Sequence, residues 1–323
     1  MTPTNTESEA TVAKTKFTAW PYYKTAFAVL VKNPRLVVWK IGSGFFARVA
    51  ALIALVSIAA LFAAHLDAFA HTGRSSSWLF ELNAILRSPA FLLGSCGILF
   101  VVWLSALLVD ALVMGGVFST LASGLKDGDD EPIPFFERAS RRLDGVIGLS
   151  LVSLGARAGL VLCAASVIVA SALALGPGGG LAELPLLGRA ALWALGLSIY
   201  AVLAVLVRLS VEVVAAPMFL EDESLTESVL KAAAFVTDHV FELYRIFVTM
   251  LAVLLIPMAI YWVVLMVQNA LMLAPALDLL GLAIRLAGEL FLFASLAGVG
   301  VLFYGAIFAF YSERRAPGAP EPK

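Results

Sequence analysis

The sequence predicts an all-α protein: a polytopic membrane bundle of six transmembrane helices with three amphipathic helices on the cytoplasmic membrane surface. Its 323 residues are 61% hydrophobic and only 14% charged, whereas soluble domains carry roughly 25% charged residues. The apolar residues are gathered into six runs, each longer than the ~20 residues that a helix needs to cross a bilayer. These runs are 41–66, 90–121, 146–175, 186–220, 246–272 and 282–311.

A membrane domain over 18–311 is therefore expected between two polar cytoplasmic tails, a disordered one at 1–17 and a second at 312–323. The first tail has no apolar core of a signal peptide, so the first spanning helix is expected to direct insertion. A formal charge of −1 argues against a nucleic-acid partner, because such a partner requires a basic surface. Membrane lipids are the expected partners, together with a membrane protein if the chain belongs to a complex.

Three shorter segments precede the first, third and fifth spans and have an apolar face at helical spacing: 18–33, 134–143 and 224–243. In the third, Ser224-Leu225-Thr226-Glu227 is a capping box, in which a serine and a glutamate satisfy free amides at the start of a helix. In the first segment, 18–33, aromatic residues on one side and lysines on the other suit a helix in the headgroup region. For 18–33, a helix that caps the bundle is the alternative interpretation.

Cationic residues are unevenly divided between the two sides of the predicted bundle. Fifteen lysines and arginines lie on the side of the N-terminus and four on the opposite side, with three more inside the spans. Because cytoplasmic loops of membrane proteins carry the excess of Lys and Arg, both termini are predicted to be cytoplasmic.

The succession of one amphipathic segment and two spans occurs three times, over 18–121, 132–220 and 224–311. A threefold structural repeat is one interpretation of this pattern. The other is that any six-span protein with ordered cytoplasmic loops would show it, since the three copies share no obvious residue identities.

Five ionisable residues within the spans fall at a similar depth in the cytoplasmic half. Such residues are costly in lipid and are the first place to look for function. One hypothesis is that this layer lines a polar cavity for an anionic group such as a lipid phosphate, which arginine grips with two hydrogen bonds. The other is that the residues form structural ion pairs and fix helix packing. The layer comprises Arg48, Asp110, Arg157, Arg208 and Glu212.

No recognisable catalytic, metal-binding or nucleotide-binding motif occurs, so neither an enzyme, a metal site nor a cofactor is expected. The sequence favours a protein that organises, senses or handles lipids or an envelope complex. The alternative is a transporter or permease that carries a small anionic or lipid-like substrate through the charged layer. Against transport, no two spans share the Gly/Pro interruptions typical of transporters with broken helices.

The segment 215–229, Ala-Ala-Pro-Met-Phe-Leu-Glu-Asp-Glu-Ser-Leu-Thr-Glu-Ser-Val, resembles a junction found in a bacterial six-span family. The stretch 26–36, which includes Lys32-Asn33-Pro34, is similar to the start of that family. The family includes the membrane domain that precedes some glycerophosphodiester phosphodiesterases and the uncharacterised YciC-like proteins. The resemblance implies a multi-pass protein of the bacterial inner membrane. It does not imply catalysis, because the twelve residues after Tyr311 cannot form the soluble phosphodiesterase domain.

Overall fold

Single short helices, each followed by a pair of long ones, make up most of the described part of the chain. The computed structural model describes residues 18–70, 84–126, 134–175, 186–272 and 277–315, and these contain no strand. The predicted all-α bundle is therefore confirmed. Its helices are α1 (Trp20–Lys32), α2 (Arg35–Ala70), α3 (Pro89–Leu125), α4 (Phe135–Ser140), α5 (Leu143–Leu175), α6 (Leu186–Leu220), α7 (Leu225–Asp238), α8 (Val240–Leu271) and α9 (Asp278–Arg315).

Six of these helices, α2, α3, α5, α6, α8 and α9, are long and apolar enough to cross a membrane. A helix is the expected form of a spanning segment because the bilayer core offers no water to its backbone polar groups. Several begin earlier than the apolar runs: α2 at Arg35 instead of 41, and α8 at Val240 instead of 246. Lysine and arginine in those first turns do not end a helix. The predicted tail at 312 is likewise helical as far as Arg315, while 1–17 lies outside the described residues.

The three short helices gather at one end of the bundle, which we call the capped end. Helix α1 packs on α9, α4 on α3, and α7 on α6. Each short helix thus contacts the second span of the preceding pair, and α1 completes the circle by contacting the last span. This is the order that a threefold arrangement would require. The repeat itself stays a prediction, because the three short helices differ in length, with 13, 6 and 14 residues.

Small residues at matching places in α3, α6 and α9 allow these close contacts. Gly116 faces the Phe135 ring of α4, and Gly305 lies against Ala26 of α1. The corresponding residues of α6, Ala215 and Ala216, are fully buried. Each small pair is followed by an apolar residue and then a large buried one. The three stretches are Gly115-Gly116-Val117-Phe118, Ala215-Ala216-Pro217-Met218 and Gly305-Ala306-Ile307-Phe308.

The buried core lies near the capped end, and the other ends of the spans are exposed. Phe118 is at its centre, with its ring 5.0 Å from Tyr304, 5.6 Å from Phe219 and 5.8 Å from Phe308. Toward the opposite end, which we call the open end, large apolar side chains such as Leu93 and Leu279 are 74% and 83% exposed. Lipid tails are the natural solvent for these side chains.

Helix α1 has two apolar sides. Tyr22, Tyr23, Ala26 and Val29 are buried against the bundle, as the capping interpretation requires. The sequence predicts a single apolar face, but its residues are divided between the two sides. Tyr23 is buried against the bundle, whereas Trp20, Phe27 and Val31 are exposed.

The turn between α6 and α7 is held by charges. Ser224 accepts a hydrogen bond from the Glu227 amide at 3.3 Å, so the predicted capping interaction is present. The Lys231 ammonium lies 2.5 Å from carboxylate oxygens of Glu221 and Glu223, and the Tyr311 hydroxyl donates to Glu221 at 2.6 Å. Burial by itself would raise the pKa of Glu221, but the hydrogen bonds from Lys231 and Tyr311 outweigh it and hold that pKa below its usual range.

Candidate functional site

A cavity of about 300 Å³ opens between α3, α5 and α6, on the open-end side of the buried core. A second cavity of about 190 Å³ adjoins it between α5 and α6 and shares Arg157 and Glu212 with it. We call the two together the lateral crevice. Its apolar rim includes Trp103 and Leu154, which are 39% and 44% exposed. The crevice therefore reaches the lipid-facing surface of the bundle.

Glu212 is the most enclosed charged side chain of the crevice. Its residue is only 8% exposed. The Arg208 guanidinium nitrogen Nε lies 3.6 Å from its carboxylate, one helical turn away, and the Tyr304 hydroxyl donates a hydrogen bond to it from α9. A buried carboxylate needs such partners, since an uncompensated charge in a low-dielectric interior is strongly destabilising. The hydrogen bond from Tyr304 links α6 to α9.

Asp110 lines the same cavity from α3 and pairs with α2. The Lys40 ammonium lies 2.7 Å from its carboxylate, and the Ser43 hydroxyl donates to the same oxygen at 3.3 Å. The pair is only partly enclosed, with 27% of the Lys40 side chain and 49% of the Asp110 side chain exposed. Asp110 is thus largely neutralised by a partner on a neighbouring span.

Arg157 differs from these paired groups. It lines both cavities of the crevice and lies close enough to Glu212 to interact with it electrostatically. It nevertheless forms no salt bridge within 4.0 Å with any carboxylate of the described residues. Lys40, Arg157 and Arg208 face two carboxylates, so this part of the bundle has one positive charge in excess.

The structure brings together four of the five predicted site residues, namely Asp110, Arg157, Arg208 and Glu212. Arg48 does not line the crevice. Its guanidinium lies 4.0 Å above the centre of the Phe293 ring, an arrangement in which the aromatic face attracts the cation. Arg48 lies at a depth in its span similar to that of the other four residues, but its side chain points to a different side of the bundle.

Two residues of the site were missed by the sequence analysis. Lys40 precedes the first apolar run, which groups it with the cytoplasmic residues, yet it sits in the second turn of α2 and reaches Asp110. Tyr304 lies within the apolar run 282–311 and does not stand out there as a polar group. The sequence does contain a signal for Lys40, because it is a lysine at the edge of an apolar run and the next span carries an acidic residue, Asp110. The sequence has no comparable signal for Tyr304.

Within the described ranges, no group of three or more His, Cys, Asp and Glu side chains is placed to hold a metal ion. Cys96 and Cys163 are both exposed on the spans.

The fold and the crevice define an integral, multi-pass membrane protein. Comparison with protein-family models, with curated proteins and with solved structures found no match. The resemblance to the six-span bacterial family therefore stays a prediction.

Proposed function

We propose that this protein is a non-enzymatic membrane protein that holds an anionic lipid in the lateral crevice. The observation that supports this most directly is Arg157, a cation without a salt-bridge partner among the described residues, in a crevice that opens toward lipid. A charge at that depth is costly unless it is neutralised. A lipid phosphate would neutralise it, and the acyl chains would remain along the apolar rim formed by Trp103 and Leu154.

We further propose that the membrane is the inner membrane of a bacterium and that the capped end faces the cytoplasm. The excess of cationic residues on that side supports the orientation. Exposed Trp20, Phe27 and Val31 on α1 would then lie in the headgroup layer, which would add lipid contacts at the same leaflet.

Transport of a small anionic substrate is the competing proposal, and it requires a path from the crevice to the capped end. Phe118, Met218 and Phe308 pack in that direction and are 3%, 0% and 0% exposed. Transport would therefore require this core to separate during each cycle. A protein that binds lipid from the side needs no such separation, which favours the lipid-holding function.

The experiment compares lipid bound to purified wild-type protein, to Arg157→Gln and to Arg48→Gln, by mass spectrometry of the phospholipids that remain after detergent exchange. Arg48→Gln is the matched control, because it removes the same charge from a span outside the crevice. We expect Arg157→Gln to lose anionic phospholipid selectively and Arg48→Gln to retain it. An Arg157→Gln protein with unchanged lipid content and a lowered melting temperature would instead assign Arg157 a structural role and refute the proposal.

A further inference from the structure

A separate cavity of about 200 Å³ lies at the capped end, between the end of α3, the α4 helix and the α6–α7 turn. It shares no residue with the lateral crevice. Four of its lining residues are basic, and hydroxyl groups lie beside them. We call it the basic pocket and define it by Ser123, Lys126, Arg138, Arg141, Arg142 and Asp222.

Two of its arginines are held in place by neighbouring elements. Arg138 donates a hydrogen bond to the Ser123 hydroxyl at 2.5 Å. Arg142 donates to the backbone carbonyls of Glu223 and Asp222 at 2.7 and 2.8 Å and pairs with the Asp222 carboxylate. Asp222 has a left-handed backbone, with φ of 63°, which turns the chain so that these carbonyls meet Arg142. The pocket is thus built by packing between three parts of the chain.

The other two cations are available to a ligand. Lys126 is exposed and forms no ion pair with any described carboxylate. Arg141 pairs with Glu137 at 3.1 Å, but the two side chains are 60% and 55% exposed, and such a surface pair contributes little. Among the described residues, Lys126 and Arg141 are therefore the two cations of the pocket that remain accessible to a ligand.

We propose that the basic pocket binds a phosphate group, and that its ligand is the headgroup of an anionic phospholipid. Arginine forks match phosphate oxygens in geometry, and a lysine and a serine hydroxyl add further donors. The spanning helices α3 and α6 end beside the pocket, which places it at the level of the headgroups. Basic pockets in this position attract anionic headgroups. This site is independent of the one proposed around Arg157.

The test titrates full-length protein in neutral detergent with short-chain phosphatidylglycerol and, separately, with inorganic phosphate, by calorimetry. The variant is Lys126→Gln with Arg141→Gln, which spares the backbone contacts of Arg142. The control is Lys24→Gln with Lys32→Gln, an equal charge change at exposed positions on α1. At about fivefold per charge, the pocket variant should bind phosphatidylglycerol roughly 25-fold more weakly.

The proposal is supported if the wild type and the control bind the lipid and the pocket variant does not. Equal melting temperatures confirm that the pocket variant is folded. Wild-type binding of inorganic phosphate as tightly as the lipid would identify a soluble phosphate compound as the ligand and overturn the lipid assignment. Equal losses in pocket variant and control would show unspecific attraction by net charge and overturn the site. The pocket variant and its control are therefore also compared in the Arg157→Gln background, in which the crevice no longer contributes binding, so that the failure of either site can be recognised separately.

Discussion

The contact between Gly116 of α3 and Phe135 of α4 gives the sharpest prediction for stability. A Cβ added at Gly116 would lie 2.5 Å from Cε2 and 2.7 Å from Cε1 of the Phe135 ring. The ring cannot easily retreat, because it stacks on Trp39 with centroids 5.5 Å apart and interplanar angle 10°, and it meets Phe136 at 5.5 Å. Gly116→Ala should therefore displace the aromatic residue that docks α4 on the bundle.

The expected magnitude follows from two opposing effects. Overpacking of a well-filled site costs about 1–3 kcal/mol, whereas alanine is favoured over glycine inside a helix by about 1 kcal/mol. Gly97→Ala is the matched control, since it lies in the same helix and an added Cβ there meets nothing within 4 Å. It gains the propensity without the clash. The difference between the two variants should therefore equal the cost of the clash, about 1–3 kcal/mol.

Thermal unfolding in detergent, followed by helical circular dichroism, measures this difference. Gly116→Ala should melt several degrees below Gly97→Ala, at about 2–4 °C per kcal/mol. Phe135→Ala should cost less in the Gly116→Ala background than in the wild type, because the clash is then absent. Equal melting temperatures for the two glycine variants, or additive effects in the double variant, would refute the reasoning.

Three further predictions concern the charged groups and the orientation. Lys40→Met should destabilise the bundle by up to about 3 kcal/mol in thermal unfolding, because it leaves the Asp110 carboxylate unpaired, and adding Asp110→Asn should restore most of the loss; no recovery would mean that the pair does not couple. Since the pKa of Glu221 is lowered on folding, its stabilising contribution is present above its unfolded pKa of ~4.3 and is lost as pH falls through the folded value. Glu221→Gln should therefore flatten the acid side of the melting-temperature profile, and an unchanged slope would contradict this assignment. In a cysteine-free background, an impermeant thiol reagent added to intact cells should label Leu279→Cys at the open end but not Lys231→Cys at the capped end, and the reverse result would invert the proposed orientation.

The number and type of spans could be predicted from the sequence because lipid imposes a strong and local requirement. A run of twenty apolar residues has few structural options in a bilayer, and α6 begins and ends as predicted, at Leu186 and Leu220. Helix α7 ends at Asp238 and α8 begins at Val240, whereas the apolar stripe predicted one helix to 243. The stripe continues across the break, so periodicity alone could not show it.

The site could be predicted only in part. The sequence gives the depth of a residue in its span, but it does not give the direction in which the side chain points. Arg208 and Glu212 meet because their spacing of four residues fixes them on one helical face. Arg48 has a suitable depth but turns toward Phe293. Which face of α2 meets α3 depends on tertiary packing, and the same packing brings Lys40 to Asp110.

Close helix packing at small residues could likewise be predicted only in part. The Gly-x-x-x-Gly spacing of Gly155 and Gly159 satisfies a motif for helix contact, yet an added Cβ at either position meets nothing within 4 Å. The contacts form at Gly116 and Gly305, where a short helix or another span crosses. Small residues at this spacing permit close packing, but it occurs only where another helix crosses them.

The contact between α1 and α9 has a consequence for biogenesis. The Tyr22 hydroxyl donates to Glu313 at 3.3 Å across 291 positions of sequence, so α1 is synthesised long before the helix that provides this partner. Until α9 has been synthesised, the Tyr22 hydroxyl of α1 lacks this partner. Nascent chains that stop early cannot complete the ring of short helices, which would leave a defect that quality-control proteases can distinguish from the finished protein.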